Sequence, residues 1–445
     1  MSKIKTISIF LLSGLAIYLA SQLWFVNTSS RNFFYTFFSR TGPQDVNDDR
    51  VFVQPYRLVL NYGSNKFEIE YSGMGVNKLR ESCDSCLQSM LKDGEYLGKR
   101  DLNYSEVFGA EGYIYEYAFN MPTSVFALAF NKNSFADPLK YITSIVFIPP
   151  DAKRSTTIVW LLDEADMQMT GYSVSSALPP ITANPDDSTQ EVIYESSALS
   201  ADDFADKNIF IAKKRKEDYK YPSVSIVNPY ADNELLMGAI EKNINTFFEN
   251  PAAKLEYMGD YNVYTFVDAD TVVKYYQNDV LEYSNYLTGS IETNLLKSFG
   301  TALSFIKSDK LIVNEYYLAD FAQEDNEYTF YFDYVVNNFP MILPDEYKRD
   351  DKENGAATLN HSIEVTVREG NVVNYKKIVY NFITDTASKT AKLDFDQVLD
   401  EVKASQNEGQ SKIANVILGY KLERSKKAYL YWIINLGGPS LSKIG

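Results

Sequence analysis

Beyond residue 50 the apolar positions recur mostly every second residue, in short runs broken by glycine, asparagine and aspartate. That period belongs to strands joined by tight turns. Tyr56–Tyr62 and Lys66–Tyr71 flank Gly63–Asn65 as a first hairpin, and further strands are predicted over Tyr113–Phe119, Val125–Phe130, Ile142–Ile148 and Thr157–Leu162. The period lengthens over Val76–Leu91, where Leu79, Cys83, Leu87 and Met90 or Leu91 share one helical face. Glu234–Phe248 does the same with Leu235, Met237, Ala239, Ile240, Ile244, Phe247 and Phe248. A hairpin then follows over Asn262–Asp268 and Val272–Gln277, turning at Asp268–Asp270. The spacing next predicts a helix over Glu292–Ser304 and strands over Leu311–Leu318 and Tyr328–Val336. Ser362–Arg368 pairs with Val372–Phe382 around Glu369–Asn371; a helix capped by Asp394 runs to Ala404, and strands at Val416–Leu422 and Tyr429–Ile434 finish the chain. Hairpins outnumber crossovers, so the class is α+β and mainly antiparallel.

The N-terminal stretch has neither period. Ile7–Val26 carries no charged residue and as a helix would be roughly 30 Å long, enough to span a bilayer core. A cleaved signal peptide is the alternative, but Tyr18 occupies the −3 position before the nearest small-residue site. No cysteine follows to accept a lipid. Lys3 and Lys5 favour a cytoplasmic N-terminus, although Arg31 and Arg40 lie on the far side, and Trp24, Phe25, Phe33, Phe34, Tyr35, Phe37 and Phe38 crowd the exit as an interfacial belt would. The expected layout is a cytoplasmic tail at 1–6, a transmembrane helix at 7–26 in contact with membrane lipid, and a juxtamembrane linker at 27–50. A multi-domain extracytoplasmic region follows. The charged stretch Ala201–Tyr221, closed by Pro222, marks a boundary there. The expected domains are an N-terminal one (51–205), a middle α+β domain (206–310) and a C-terminal α+β domain (311–445). Within the membrane helix, Ser13, Gly14, Ala16 and Ala20 are small enough for close contact with another helix.

Composition removes functions. The 445 residues carry 43 Lys and Arg against 59 Asp and Glu, a net charge of −16, which speaks against nucleic acid as a partner. One histidine and two cysteines exclude a histidine-rich metal site and a disulfide framework. Cys83 and Cys86 form a CxxC inside a helical pattern, without the flanking tryptophan and proline of thioredoxin-like sites; buried thiols, a strained disulfide and a redox pair are the three readings. Asp163, Glu164 and Asp166, or Asp268 and Asp270, could supply paired carboxylates for glycoside hydrolysis, yet turn chemistry accounts for them equally. His361 sits just before a predicted strand and is read as a surface residue or one that satisfies a local hydrogen bond. No Walker A loop, G-x-S-x-G, dinucleotide fingerprint or H-E-x-x-H occurs, so no cofactor, metal or catalytic residue is assigned and a non-enzyme is expected.

Several segments carry a resemblance. Phe247–Pro251, Val263–Asp270, Val272–Tyr276 and Leu281–Tyr283 are joined by Leu303–Lys307, Tyr317–Leu318 and Phe332–Met341, and by Val416–Tyr420 with Tyr431–Trp432. Together with the single anchor, they resemble the YycH (WalH) family over residues 5–435. Phe339 stands where that family usually has glycine before the proline, so this turn departs from it. The sibling YycI family shares parts of the ending. The resemblance implies a membrane-anchored protein that restrains the essential sensor histidine kinase WalK (YycG), which governs cell-wall turnover in low-GC Gram-positive bacteria. It also implies a YycI-like membrane partner, and it brings no active-site residues. An anchored peptide- or glycan-binding module and a cell-wall hydrolase are the alternatives.

Overall fold

The computed structural model describes residues 52–71, 78–132, 135, 137–176, 178–181, 192–199, 208–214, 220–230, 236–248, 250–252, 254–259, 263–286, 293–310, 312, 314–348, 356–390, 400, 413–423, 427–436 and 441–444. The expected membrane helix, with Ser13, Gly14, Ala16 and Ala20, and almost all of the expected helix at Asp394–Ala404 lie outside these residues. Among the described residues no helix is long and apolar enough to cross a membrane.

Residues 49–445 form one compact unit. Nine described strands make its first sheet: β1 (Arg57–Asn61), β2 (Phe67–Tyr71), β3 (Glu95–Asp101), β4 (Gly112–Pro122), β5 (Tyr141–Ile148), β6 (Thr157–Asp163), β7 (Gln168–Val174), β8 (Val192–Ser196) and β9 (Phe210–Lys214). Their order is β3-β7-β6-β5-β4-β1-β2-β8-β9. Helices α1 (Lys78–Asp93), α2 (Tyr104–Phe108) and α3 (Thr123–Ala129) accompany it. Helix α1 packs by the face that the sequence marked, with Cys83, Cys86, Leu87 and Met90 buried, and the Tyr115 hydroxyl of β4 donates to Asp84 Oδ1 at 2.9 Å.

The second sheet begins with β10 (Lys220–Val227), β11 (Leu255–Met258), β12 (Tyr264–Asp268), β13 (Thr271–Tyr275), β14 (Val280–Asn285), β15 (Glu315–Glu324) and β16 (Glu327–Val336). It continues with β17 (Phe339–Ile342), β18 (Ile363–Arg368), β19 (Asn371–Ile378), β20 (Asn381–Thr390), β21 (Ile413–Leu422), β22 (Lys427–Leu436) and β23 (Leu441–Ile444). The order runs β11-β12-β13-β14-β19-β18-β16-β17-β21-β22-β10-β20, with β15 beside β16 and β23 beside β22. Every described pairing is antiparallel except β17 with β21. Helices α4 (Leu236–Ile244) and α5 (Leu295–Ser308) complete this part, and α5 packs on β16, β18 and β19. The fold is therefore α+β and mostly antiparallel.

Alternation explains the burial. The register sets Phe266, Val273, Tyr283, Tyr375, Val365 and Phe330 in one row across six strands, and all are buried on the face that α5 covers. The neighbouring outer row, Thr265, Lys274, Glu282, Lys376 and Glu364, alternates basic and acidic side chains after its first member. The expected hairpin at Asp268–Asp270 forms as β12 and β13, with Ala269 at a positive φ.

Two expectations need correction. Val125–Phe130 is not a strand: Thr123–Ala129 is helix α3, which buries Phe126, Ala127 and Ala129 and leaves Leu128 outside. A short apolar run carries either period, and tertiary packing chose the longer. Val372–Phe382 is not one strand either. It breaks at Val379 and Tyr380 as the chain passes from β19, beside β14 and β18, to β20, beside β10. At the break Val379 N donates to Asp279 O at 2.9 Å and the Tyr380 hydroxyl to Asp279 Oδ2 at 3.0 Å.

Candidate interaction edges

The residues that the sequence offered for chemistry have structural duties. Asp163 is buried at the end of β6 and its Oδ1 accepts Asp166 N at 3.2 Å, while Glu164 Oε1 accepts the Tyr104 hydroxyl at 2.7 Å. Asp268 Oδ2 accepts Asn250 N at 3.3 Å. Asp163 thus caps the turn between β6 and β7, while Asp268 ties the end of β12 to the segment at Asn250. Among the described residues no group of three or more His, Cys, Asp or Glu side chains converges as a metal site would.

Cys83 and Cys86 are free and buried on the inner face of α1. Burial pushes both thiols up, Cys86 to about 12, and the Asp84 carboxylate adds to the rise at Cys83. A thiolate is the reactive form, so these groups are inert. We expect neither to react with iodoacetamide in the native protein at neutral pH, and both to react in urea, as counted by mass spectrometry.

His361 Nδ1 lies 3.0 Å from Asp333 Oδ2, with the Tyr331 ring centroid 5.0 Å away. Burial works against the imidazolium, but the Asp333 carboxylate, helped by Glu364 and Asp320, outweighs it and raises the pKa. A raised histidine pKa stabilises the fold fully below the unfolded value and ceases to do so as pH climbs through the folded one. Relative to His361→Gln, the native protein should therefore lose stability as pH rises from about 6 into the alkaline range. Urea midpoints of the two proteins across that range check this.

The surface is distinctive where the sheets end. Edge β3 exposes Tyr96 and Leu97 but is guarded: Gly98, at φ +116°, makes a bulge, and Glu95, Lys99, Arg100 and Asp101 charge it. Arg100 lies 4.4 Å from the Trp160 ring centroid, and that ring occupies the space where a Cβ on Gly171 would stand, 2.3 Å from its nearest carbon. At one edge of the second sheet β20 carries Asp385, which accepts the Ser223 and Ser225 hydroxyls at 2.5 and 2.6 Å.

Edge β11 is different. Leu255, Tyr257 and Met258 are 70%, 51% and 53% exposed, and among the described strands this one pairs with β12 alone, in an unshifted register. Leu255 and Tyr257 face outward beside half-buried Val267 and Val272; Met258 faces the other way beside half-buried Tyr264. Lys254, which could guard the edge, is drawn back to 4% exposure by Glu241 at 2.6 Å and Glu256 at 3.1 Å. Sequence reasoning missed this strand because four residues show too little periodicity, and because a strand becomes an edge only through the pairing of the others.

The fold has solved counterparts. The crystal structure of YycH from Bacillus subtilis superposes with a TM-score of 0.53, covering 90% of this chain and 96% of that one at 13% identity. The chain has a YycH-like fold. The C-terminal domain of Bacillus megaterium YpeB matches 45% of this chain and 88% of its own at 13% identity, but with a TM-score of 0.26 the likeness carries no argument. No family model matches the sequence, and no curated protein does.

Proposed function

We propose that the protein is a non-enzymatic regulator, negative in sign, of a WalK/YycG-type sensor histidine kinase controlling cell-wall metabolism in a Gram-positive bacterium. It acts with a YycI-like membrane protein. The observation that carries this reading is the YycH-like fold over nine-tenths of the chain. Of the candidate groups, Asp163, Glu164, Asp268 and His361 are engaged in hydrogen bonds within the fold, and the two thiols are buried.

In this reading residues 7–26 anchor the protein once in the cell membrane, with the N-terminus cytoplasmic and the bulk extracytoplasmic. Regulation requires that it favour one signalling state of the kinase, because equal contact with both states shifts nothing. Ser13, Gly14, Ala16 and Ala20 are the proposed contacts of the membrane helix.

Co-purification from native membranes in mild detergent tests it. The full-length chain is compared with a version lacking residues 1–26 that another signal exports. Recovery of a histidine kinase and a YycI-like protein with the full chain alone supports contact through the anchor. Recovery with both moves the contact to the outer part. Recovery with neither overturns the reading.

A further inference from the structure

We propose that β11 is a docking edge that accepts an extended segment of another protein as an added antiparallel or parallel strand, and that this segment carries basic residues at its end beside the Asp268–Asp270 turn. The inference stands on the edge's geometry and does not need the kinase reading.

Backbone polarity comes first. Gly259 N donates to Val263 O at 2.8 Å, which fixes the phase of the β11–β12 ladder. In an antiparallel pair the inward-bonding residues alternate, so Leu255 and Tyr257 turn their backbone groups to β12 while Glu256 and Met258 present N–H and C=O outward. An added strand would satisfy those groups.

Apolar surface comes second. A strand laid along this edge meets Leu255 and Tyr257 on one face and Met258 on the other, so its alternate side chains find apolar neighbours on both sides. Natural edges avoid this combination with a bulge or an outward charge, as β3 does here.

Charge selects the occupant. From Asn250 to the turn at Asp270, Lys254 is the sole cation and is already paired with Glu241 and Glu256, and Lys274 on β13 lies two strands in, opposite Glu282. Asp268 and Asp270 stand at the turn adjoining the Leu255 end, Asp270 exposed. A second copy of this chain would oppose two molecules of net charge −16. A segment with basic residues at one end is attracted to the same surface.

The test uses the full-length chain in mild detergent. The probe is a fluorescein-labelled peptide of about six alternating valines and threonines with a pair of lysines at one end, followed by fluorescence anisotropy. The expected result is binding that weakens about tenfold or more when the lysines become glutamates, when alternate peptide nitrogens are methylated, or when Met258→Pro removes an outward N–H. Hydrogen exchange should slow at Glu256 and Met258 in the complex. Asp270→Asn, at an exposed side chain, should weaken the lysine peptide and spare the glutamate one. Equal binding to native and Met258→Pro protein overturns the site, as does absence of binding at about 1 mM peptide. Indifference to methylation overturns strand addition. Indifference to peptide charge, or a native dimer that Met258→Pro dissociates, overturns the choice of occupant.

Discussion

Asp309→Ala should destabilise the protein by about 3–5 kcal/mol, read as a shift of the urea midpoint. Asp309 caps the C-terminal end of α5, and Lys377 projects from β19 into the same covered face. Both side chains are 1% exposed, with Nζ 2.5 Å from Oδ2. The Tyr375 hydroxyl donates to the same oxygen at 2.8 Å. Burial presses Lys377 towards its neutral form and lowers its pKa, with the Asp309 carboxylate opposing the change. Removing that carboxylate leaves a buried ammonium and a buried hydroxyl without their acceptor, and this dominates the loss. The pair itself contributes much less. Asp309→Leu combined with Lys377→Met and Tyr375→Phe should therefore recover most of the stability, because apolar groups of similar volume need no compensation. If the triple variant is as unstable as Asp309→Ala, packing rather than the orphaned charge is the cause.

Phe52→Ala should cost about 3–5 kcal/mol and split a single unfolding transition into two. Phe52 is fully buried, and its ring centroid lies 4.9, 5.6 and 6.4 Å from those of Phe299, Phe321 and Phe330 in the second part of the molecule. It also meets Phe119, on β4 of the first sheet, at 5.8 Å. Tilted and edge-to-face pairs of this kind add about 0.5–1.5 kcal/mol each beyond area burial. Other contacts join the two sheets beside it, among them Phe119 with Phe321 at 5.2 Å, Tyr56 with Tyr317 at 5.6 Å and Asn338 Nδ2 with Ile69 O at 3.1 Å. Trp160 on β6 and Trp432 on β22 report on the two sheets separately. Single-tryptophan versions should unfold together with Phe52 in place and apart without it, and Phe52→Leu should behave nearly as the native chain.

Legibility in the sequence followed the range of the interactions. The hairpin at Asp268–Asp270 was readable because Tyr264, Phe266, Val273 and Tyr275 alternate on either side of a short turn bounded by two aspartates. Helix α1 was readable because Cys83, Leu87 and Met90 keep a helical interval. The run Val125–Phe130 was misread because six apolar residues do not separate the two periods. Contacts between distant segments left no local trace: nothing near Lys377 announces Asp309, and nothing near Phe52 announces Phe321. The open edge was hidden for the same reason, since its character depends on which strand lacks a neighbour. The small residues of the N-terminal segment are the reverse case, visible in sequence and outside the described structure.

The central claim is regulation of a sensor kinase, and autophosphorylation of that kinase is its most direct measure. The kinase from the same membranes is reconstituted in lipid vesicles with ATP, alone, with the full-length chain, and with the full-length chain plus its YycI-like partner. The account predicts that phosphorylation falls as the protein is added and falls further with the partner present. A rate that stays the same at every ratio of protein to kinase would contradict it.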